Sequence, residues 1–258
     1  MLKSTCKKTR VLAASLVIFL FALPYLSTTT FAQKSASNEA IENPQIAGYS
    51  TCDFSSTTLL CSHGSATAVS ATFRVPILTC NSAEGDQGEG IFAALMNNVS
   101  TGPFGVVGVT IGCYGGSPFY IAVVAGPDTS IPFSDLYLVS PGDTITSSLT
   151  IRNGMLYYSV SDISSRSVAN GLISGVDNNL GAVSALIGVG PSAPGAYLEQ
   201  FSKVLITSYV TINGKTVPLG SSSQAKAILT DSTGTIIEAV PSGFSSDGTT
   251  FSITWEAN

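Results

Sequence analysis

The sequence predicts an all-β protein, a two-sheet antiparallel β-sandwich built as a single domain. From Ile46 to the C terminus, short segments alternate apolar residues with Ser and Thr, and Gly, Pro, Asn or Asp bound each segment. No segment sustains a helical period. The chain is 44% hydrophobic and only 10% charged, so it can fill a core and is not a disordered polymer. A barrel is the alternative closure of the same strands.

The N-terminal segment, residues 1–32, has the pattern of a secretory signal peptide. Four basic residues precede an apolar run without charge from Val11 to Leu26, and Thr30-Phe31-Ala32 is a small-x-Ala cleavage pattern. An uncleaved membrane anchor is the alternative, although the run is shorter than the roughly 20 residues of a typical span. We therefore expect a secreted protein that meets a membrane only during export.

The mature chain divides into a leader and one domain. Residues 33–45 are polar and are expected to form a flexible leader. The β-sandwich domain is expected to occupy residues 46–258 and to be long enough to bury a substantial core. The strands predicted in it are 68–76, 104–111, 119–124, 144–151, 155–160, 184–189, 203–212, 235–240 and 250–255.

Four turns are predicted beside these strands. Asn153-Gly154 predicts a two-residue hairpin, because both residues tolerate positive φ. Ser140-Pro141-Gly142-Asp143 and Ser245-Ser246-Asp247-Gly248 are turns that begin the strands after them. Asp231-Ser232-Thr233-Gly234 is a hairpin turn and not the loop of an aspartic protease, because it has one residue too many.

The net charge and the number of cysteines indicate which partners and which cellular compartment to expect. The net charge is −5, and removal of the signal peptide leaves seven basic against sixteen acidic residues, which argues against nucleic-acid binding. Four cysteines remain, an even number that predicts two disulfides in an oxidising compartment. Of the three possible pairings we favour Cys52–Cys61 and Cys80–Cys113. Asn98 lies in an N-glycosylation sequon.

Common catalytic and metal-binding arrangements are absent from the sequence. His63 is the single histidine, GxSxG does not occur, and the Gly-rich segments lack the lysine of a phosphate-binding loop. We predict neither a metal nor a cofactor. Three carboxylates between Glu84 and Glu89 are placed on a Gly-rich loop, which is expected to be a solvated surface loop rather than a calcium site.

Three stretches, in order, resemble the glutamic peptidase family, the eqolisins, which are secreted acid endopeptidases. They are Ala47-Gly48-Tyr49 with the strand Val69-Ser70-Ala71-Thr72-Phe73-Arg74-Val75-Pro76, the segment Val139-Ser140-Pro141-Gly142-Asp143-Thr144-Ile145, and the closing run from Pro241 to Trp255. The resemblance implies a concanavalin-like sandwich with a groove across one concave sheet. It also implies a Gln and a Glu that hold a water against the peptide carbonyl.

This sequence departs from the family at both catalytic positions. By resemblance, Gly108 stands at the position of the Gln and Leu186 at that of the Glu. A hydrocarbon side chain cannot accept a proton, so the resemblance predicts a protein that has lost peptidase activity. The alternative is a displaced pair drawn from Gln87, Glu89, Glu199 and Gln200, but no Gln occurs from 88 to 199 and no Glu from 90 to 198.

At the positions that correspond to the family's groove, this sequence has smaller apolar residues than the family. The family's aromatic residues correspond to Ile46, Phe92 and the segment around Val123. The expected product is a secreted, catalytically inactive β-sandwich whose apolar groove binds a peptide, a glycan or a small hydrophobic ligand. An active acid endopeptidase that uses the displaced Glu/Gln pair is the alternative.

Overall fold

The computed structural model describes residues 40–43, 45–53, 61–80, 87–97, 103–126, 134–173, 182–191, 200–223, 225–231 and 233–256. This part of the chain is almost entirely β-structure and contains no α-helix, which confirms the predicted fold class. No helix within it is long and apolar enough to cross a membrane. The predicted signal peptide and the Asn98 sequon lie outside the described residues.

Eighteen strands and one short 3-10 helix make up the described chain. The strands are β1 Ile41–Asn43, β2 Ala47–Ser50, β3 Ala66–Arg74, β4 Leu78–Thr79, β5 Gln87–Asn97, β6 Pro103–Tyr114, β7 Ser117–Ala125, β8 Ser134–Leu138, β9 Thr144–Arg152, β10 Met155–Asp162, β11 Ser167–Ile173, β12 Val183–Pro191, β13 Gln200–Phe201, β14 Val204–Ile212, β15 Lys215–Pro218, β16 Ala225–Thr230, β17 Ile237–Pro241 and β18 Thr250–Trp255, with the 3-10 helix at Leu219–Ser221.

One hydrogen-bonded path joins most of these strands, in the order β11-β10-β9-β3-β14-β18-β17-β16-β2-β12-β5-β6-β7-β8. The path folds over on itself: in its first half, β3 contacts β5 and β12 of the second half, and β9 contacts β5 and β6. β13 and β4 form a separate two-stranded sheet. The result is two layers of β-structure packed face to face, as in a sandwich.

The core lies between the two layers and is made of alternate residues of each strand. On β5 it takes Ile91, Ala93 and Leu95, while Phe92 and Ala94 belong to the opposite face. Phe73 on β3 and Phe251 on β18 are among the largest side chains with almost no exposed surface. Period-two alternation in the sequence therefore corresponds directly to the two faces of each strand.

Both predicted disulfides are present. Cys52 is bonded to Cys61, and Cys80 is bonded to Cys113. The second bond joins the end of β4 to β6. The favoured pairing is thus confirmed.

The predicted Asn153-Gly154 hairpin is also present between β9 and β10. Met155 pairs with Arg152, and both turn residues have positive φ, 51° for Asn153 and 73° for Gly154. These angles are those of a type I′ turn, whose twist matches the twist of the strands it joins.

Two boundaries differ from the sequence prediction. Part of the expected flexible leader is ordered, because Ile41–Asn43 form β1 and pair in parallel with β16. The expected acidic loop is a strand at its C-terminal end, because β5 begins at Gln87 and Glu89 is completely buried. Residues 84–86 lie outside the described part. A Gly-rich, acidic sequence indicates a loop locally, but here pairing with β6 and β12 determines the structure.

Candidate functional site

The candidate groove is the face of β12, β5 and β6 that points away from the core. Its residues alternate with the core residues of each strand. They are Ser184, Leu186, Gly188 and Gly190 on β12, Gly88, Gly90, Phe92, Ala94 and Met96 on β5, and Val106, Gly108, Thr110 and Gly112 on β6.

A row of paired residues that includes three glycines crosses this face. Gly188 pairs with Gly48 of β2 on one side and with Phe92 of β5 on the other. Phe92 in turn pairs with Gly108, and Gly108 pairs with Val123 of β7. The row therefore places Phe92, half-buried, between two glycines.

Gly108 and Leu186, the positions that the resemblance assigns to the catalytic Gln and Glu, lie on this same face. They flank β5 from opposite sides, because Gly108 pairs with Phe92 and Leu186 pairs with Ala94. Leu186 belongs to a small apolar cluster with Ile46, Ala94 and Ala227.

The backbone around Gly108 has no room for a side chain. A Cβ at this position would overlap the carbonyl oxygen of Ile91 and lie 2.8 Å from the Cα of Phe92. At Gly188, a Cβ would overlap the carbonyl oxygen of Ala47 in the same way. The space that a catalytic amide would need is thus occupied by the neighbouring strand.

The three groove positions named from the sequence fall on or beside this face. Ile46 precedes β2 and is 5% exposed, Val123 is 5% exposed, and Phe92 is half-buried.

The residues of the displaced pair lie apart from one another. Glu89 lies on the core face of β5, on the side of Ile91. Gln200 is exposed and pairs with Thr79 in the separate β13-β4 sheet. Glu199 and the side chain of Gln87 lie outside the described residues.

A buried carboxyl that the sequence did not single out lies on β17. Glu238 is 7% exposed and stands on the opposite face of its strand from the core residue Ala239. Burial raises the pKa of Glu238 to about 6, and the nearby charge of Asp231 adds to the rise. An acidic residue within the apolar segment Ile237-Glu238-Ala239-Val240 was the signal for it.

The other carboxyl groups with shifted pKa values belong to aspartates that stabilise turns. Hydrogen bonds, first from the Ile236 N–H and then from the Thr233 hydroxyl, lower the pKa of Asp231 to about 2. Burial opposes ionisation of Asp162, but hydrogen bonds from the Ser165 hydroxyl and neighbouring N–H groups outweigh it, so its pKa lies below the usual value. Such satisfied turn carboxylates stabilise local structure.

The segments that resemble the glutamic peptidases contact each other in pairs. Val75 N–H donates to the Asp143 carbonyl and Gly142 N–H donates to the Val75 carbonyl, both at 2.8 Å. The Tyr49 hydroxyl donates to the Ser242 carbonyl at 2.5 Å, and its ring packs on Phe244 at 4.2 Å. These motifs therefore hold strands and turns together.

The closing turn is fixed in a similar way. The Asp247 carboxylate accepts hydrogen bonds from the Ser245 hydroxyl at 2.6 Å and from the Thr249 N–H at 3.1 Å, which lower its pKa. This carboxylate therefore stabilises the turn that precedes β18.

Comparison with known proteins identifies solved structures with a similar fold. No protein-family model and no curated protein sequence matches the chain. Among solved structures, the chain is similar to scytalido-glutamic peptidase bound to a transition-state analogue inhibitor, with a TM-score of 0.61 and 18% identity over 84% of this chain and 100% of that one.

Two further solved structures are similar. SCP-B, a member of the eqolisin family in complex with the tripeptide Ala-Ile-His, has a TM-score of 0.57 and 18% identity, covering 84% of this chain and 100% of that one. The aspergilloglutamic peptidase from Aspergillus niger has a TM-score of 0.52 and 17% identity, covering 66% and 99%. At such identities the likeness establishes the fold: this chain has the β-sandwich of the glutamic peptidases.

Proposed function

We propose that the chain is a secreted relative of the glutamic peptidases that no longer hydrolyses peptides and binds an extended, apolar peptide segment on the outer face of β12, β5 and β6. The observation that carries the proposal is the pair of residues that the family resemblance assigns to the catalytic positions, Gly108 and Leu186. The backbone around Gly108 leaves no room for a Cβ.

Peptide hydrolysis by this route needs a base within hydrogen-bond reach of the attacking water and a donor for the developing oxyanion. The groove residues of β12, β5 and β6 are glycine, aliphatic residues, Phe92, Met96, Ser184 and Thr110. None of these side chains takes up or releases a proton at acid or neutral pH. The face can therefore bind a peptide without activating water.

The composition of the face favours a peptide over a glycan. Glycines allow another backbone to approach closely, and alternate apolar side chains offer contacts to the side chains of an extended strand. Two of the similar structures carry a transition-state analogue inhibitor and the tripeptide Ala-Ile-His, respectively. These ligands support the choice of a peptide for this chain.

Export is part of the proposal. The charged and apolar N-terminal segment favours secretion, and two disulfides suit an oxidising compartment.

The catalytic half of the proposal is tested with casein at pH 3, using the purified mature chain and pepstatin to block contaminating aspartic proteases. We expect no turnover at pH 3 or at any other pH. Pepstatin-resistant cleavage that disappears in Glu199→Gln or Glu89→Gln would instead establish the displaced-pair endopeptidase.

The binding half is tested by titrating the protein with Ala-Ile-His and with longer apolar peptides, using calorimetry. We expect Phe92→Ala to weaken binding at least tenfold, because it removes the largest side chain of the groove. Tyr157→Ala is the matched control, since Tyr157 is exposed on β10 in the other half of the sheet path. Equal losses in both variants, or Phe92-dependent binding of oligosaccharides in place of peptides, would contradict the peptide assignment.

A further inference from the structure

A second pocket lies away from the groove, where the end of β3 meets the turn between β8 and β9 and the segment between β13 and β14. Its volume is about 350 Å³. The lining residues are Arg74, Val75, Pro76, Ile77, Pro141, Gly142, Ser202 and Lys203.

Hydrogen bonds of backbone N–H groups fix the walls of this pocket. Gly142 N–H donates to the Val75 carbonyl at 2.8 Å, which joins the turn to the end of β3. Ile77 N–H donates to the Ser202 hydroxyl at 3.0 Å, and Ser202 N–H donates to the Ile77 carbonyl at 2.9 Å. The pocket is thus preorganised, which reduces the entropy lost when a ligand binds.

Two cations line the pocket without an anionic partner in the described part of the chain. The Arg74 Nε–H donates to the Gly142 carbonyl at 2.9 Å, which holds the guanidinium at the pocket and leaves its other N–H groups for a ligand. The Lys203 side chain is exposed. The nearest acid of the turn, Asp143, accepts a hydrogen bond from the Ser140 N–H at 2.7 Å.

This pairing of cations is unusual for so acidic a chain, which has eleven basic and sixteen acidic residues. Apolar groups complete the lining: Val75 and Pro76 are buried, and Ile77 is 65% exposed. A site with two cations beside apolar walls suits an anion attached to an apolar group.

We propose that this pocket binds the carboxylate of an apolar amino acid or of a peptide C terminus, with Arg74 and Lys203 contacting the carboxylate and Ile77 contacting the apolar side chain. The site is separate from the groove on β12, β5 and β6, and it does not depend on the groove's function.

The test uses N-acetyl-leucine as the probe, N-acetyl-leucinamide as its uncharged match, and inorganic phosphate and sulfate as anions without an apolar group. Binding to the full mature chain is measured by calorimetry at low ionic strength. We expect N-acetyl-leucine to bind more tightly than the amide and than either inorganic anion. Phosphate or sulfate binding as tightly as N-acetyl-leucine would overturn the proposed ligand class.

Lys203→Gln removes one cation from a side chain that makes no ion pair within the described chain, so the variant is expected to fold normally. We expect it to weaken N-acetyl-leucine binding roughly fivefold, while Lys203→Arg restores it. Lys215→Gln, at an exposed position on β15, should bind like the native protein. Equal binding by Lys203→Gln and Lys215→Gln overturns the site, whereas Phe92→Ala should leave this binding unchanged.

Discussion

At the residue scale, the most informative position is Gly108. The sequence resemblance could place a glycine where a catalytic amide is expected, but it could not indicate whether the space for an amide remained. The structure shows that the carbonyl oxygen of Ile91 and the Cα of Phe92 occupy that space. A single substitution therefore cannot rebuild the amide without moving β5 or β6.

This predicts a clear difference between two glycine-to-alanine substitutions. Gly108→Ala should lower the free energy of unfolding by about 1–3 kcal/mol, because the new Cβ overlaps backbone that must shift. Gly243→Ala is the matched control, since no atom lies within 4 Å of its Cβ position. Alanine there should be neutral or stabilising by up to about 1 kcal/mol.

Urea denaturation of the two variants gives the measurement. A Gly108→Ala protein as stable as the Gly243→Ala protein would show that the neighbouring strands yield easily. If the strands yield in this way, the double variant Gly108→Gln, Leu186→Glu could acquire peptidase activity. We expect instead that the strands do not yield and that the double variant is inactive.

At the element scale, the sequence predicted those elements whose structure depends on a few neighbouring residues. The Asn153-Gly154 hairpin was readable because type I′ turns need these residues. β1 and the start of β5 could not be predicted from the sequence, because β1 forms by pairing with the distant strand β16 and β5 by pairing with β6. Glu89 illustrates the limit: its neighbours Gly88 and Gly90 suggest a loop, yet all three pair with β6.

The two disulfides differ in the length of chain that they close, and this predicts different contributions to stability. Cys52 and Cys61 are 9 positions apart in the sequence, and Cys80 and Cys113 are 33 positions apart. Loop entropy in the unfolded chain suggests about 2–3 kcal/mol for the first bond and about 3–4 kcal/mol for the second. Replacing each pair by alanine and measuring unfolding in guanidinium chloride tests the order. A greater loss from the Cys52–Cys61 pair would contradict it.

At the scale of the whole molecule, composition and alternation were enough to predict a β-sandwich. They could not predict Glu238, because its burial results from the packing of β17 between β16 and β18. They also could not reveal that Arg74 and Lys203 line one pocket, since 128 residues separate them in the sequence. Both features arise only when distant strands meet.

The perturbed carboxylates predict that the protein is most stable at mildly acid pH, near 4. The pKa of Glu238 is raised in the folded state to about 6 from 4.5, so the folded state loses stability as the pH rises from 4.5 through 6. The pKa of Asp231 is lowered to about 2 from 3.8, and those of Asp162 and Asp247 also lie below 3.8. Their contribution is present above 3.8 and is lost as the pH falls through the folded-state values.

Glu238→Gln tests the loss of stability that is expected as the pH rises above 4.5. The variant should gain about 1–2 kcal/mol over the native protein at pH 7.5 and nothing at pH 4, because an amide has no charge to bury. Glu256→Gln, at an exposed residue beyond β18, is the control and should match the native protein at both pH values. Thermal unfolding at the two pH values measures the effect, and a gain at pH 4 as large as at pH 7.5 would exclude ionisation as the cause.

The order of strands along the sheet path has a consequence for how the protein folds. β17 and β18, the last two described strands in chain order, connect β14 to β16. Without them the hydrogen-bonded path would divide into one half from β11 to β14 and another from β16 to β8. Because these two strands pair, apart from each other, only with strands that precede them in the sequence, the two halves are expected to join late in folding.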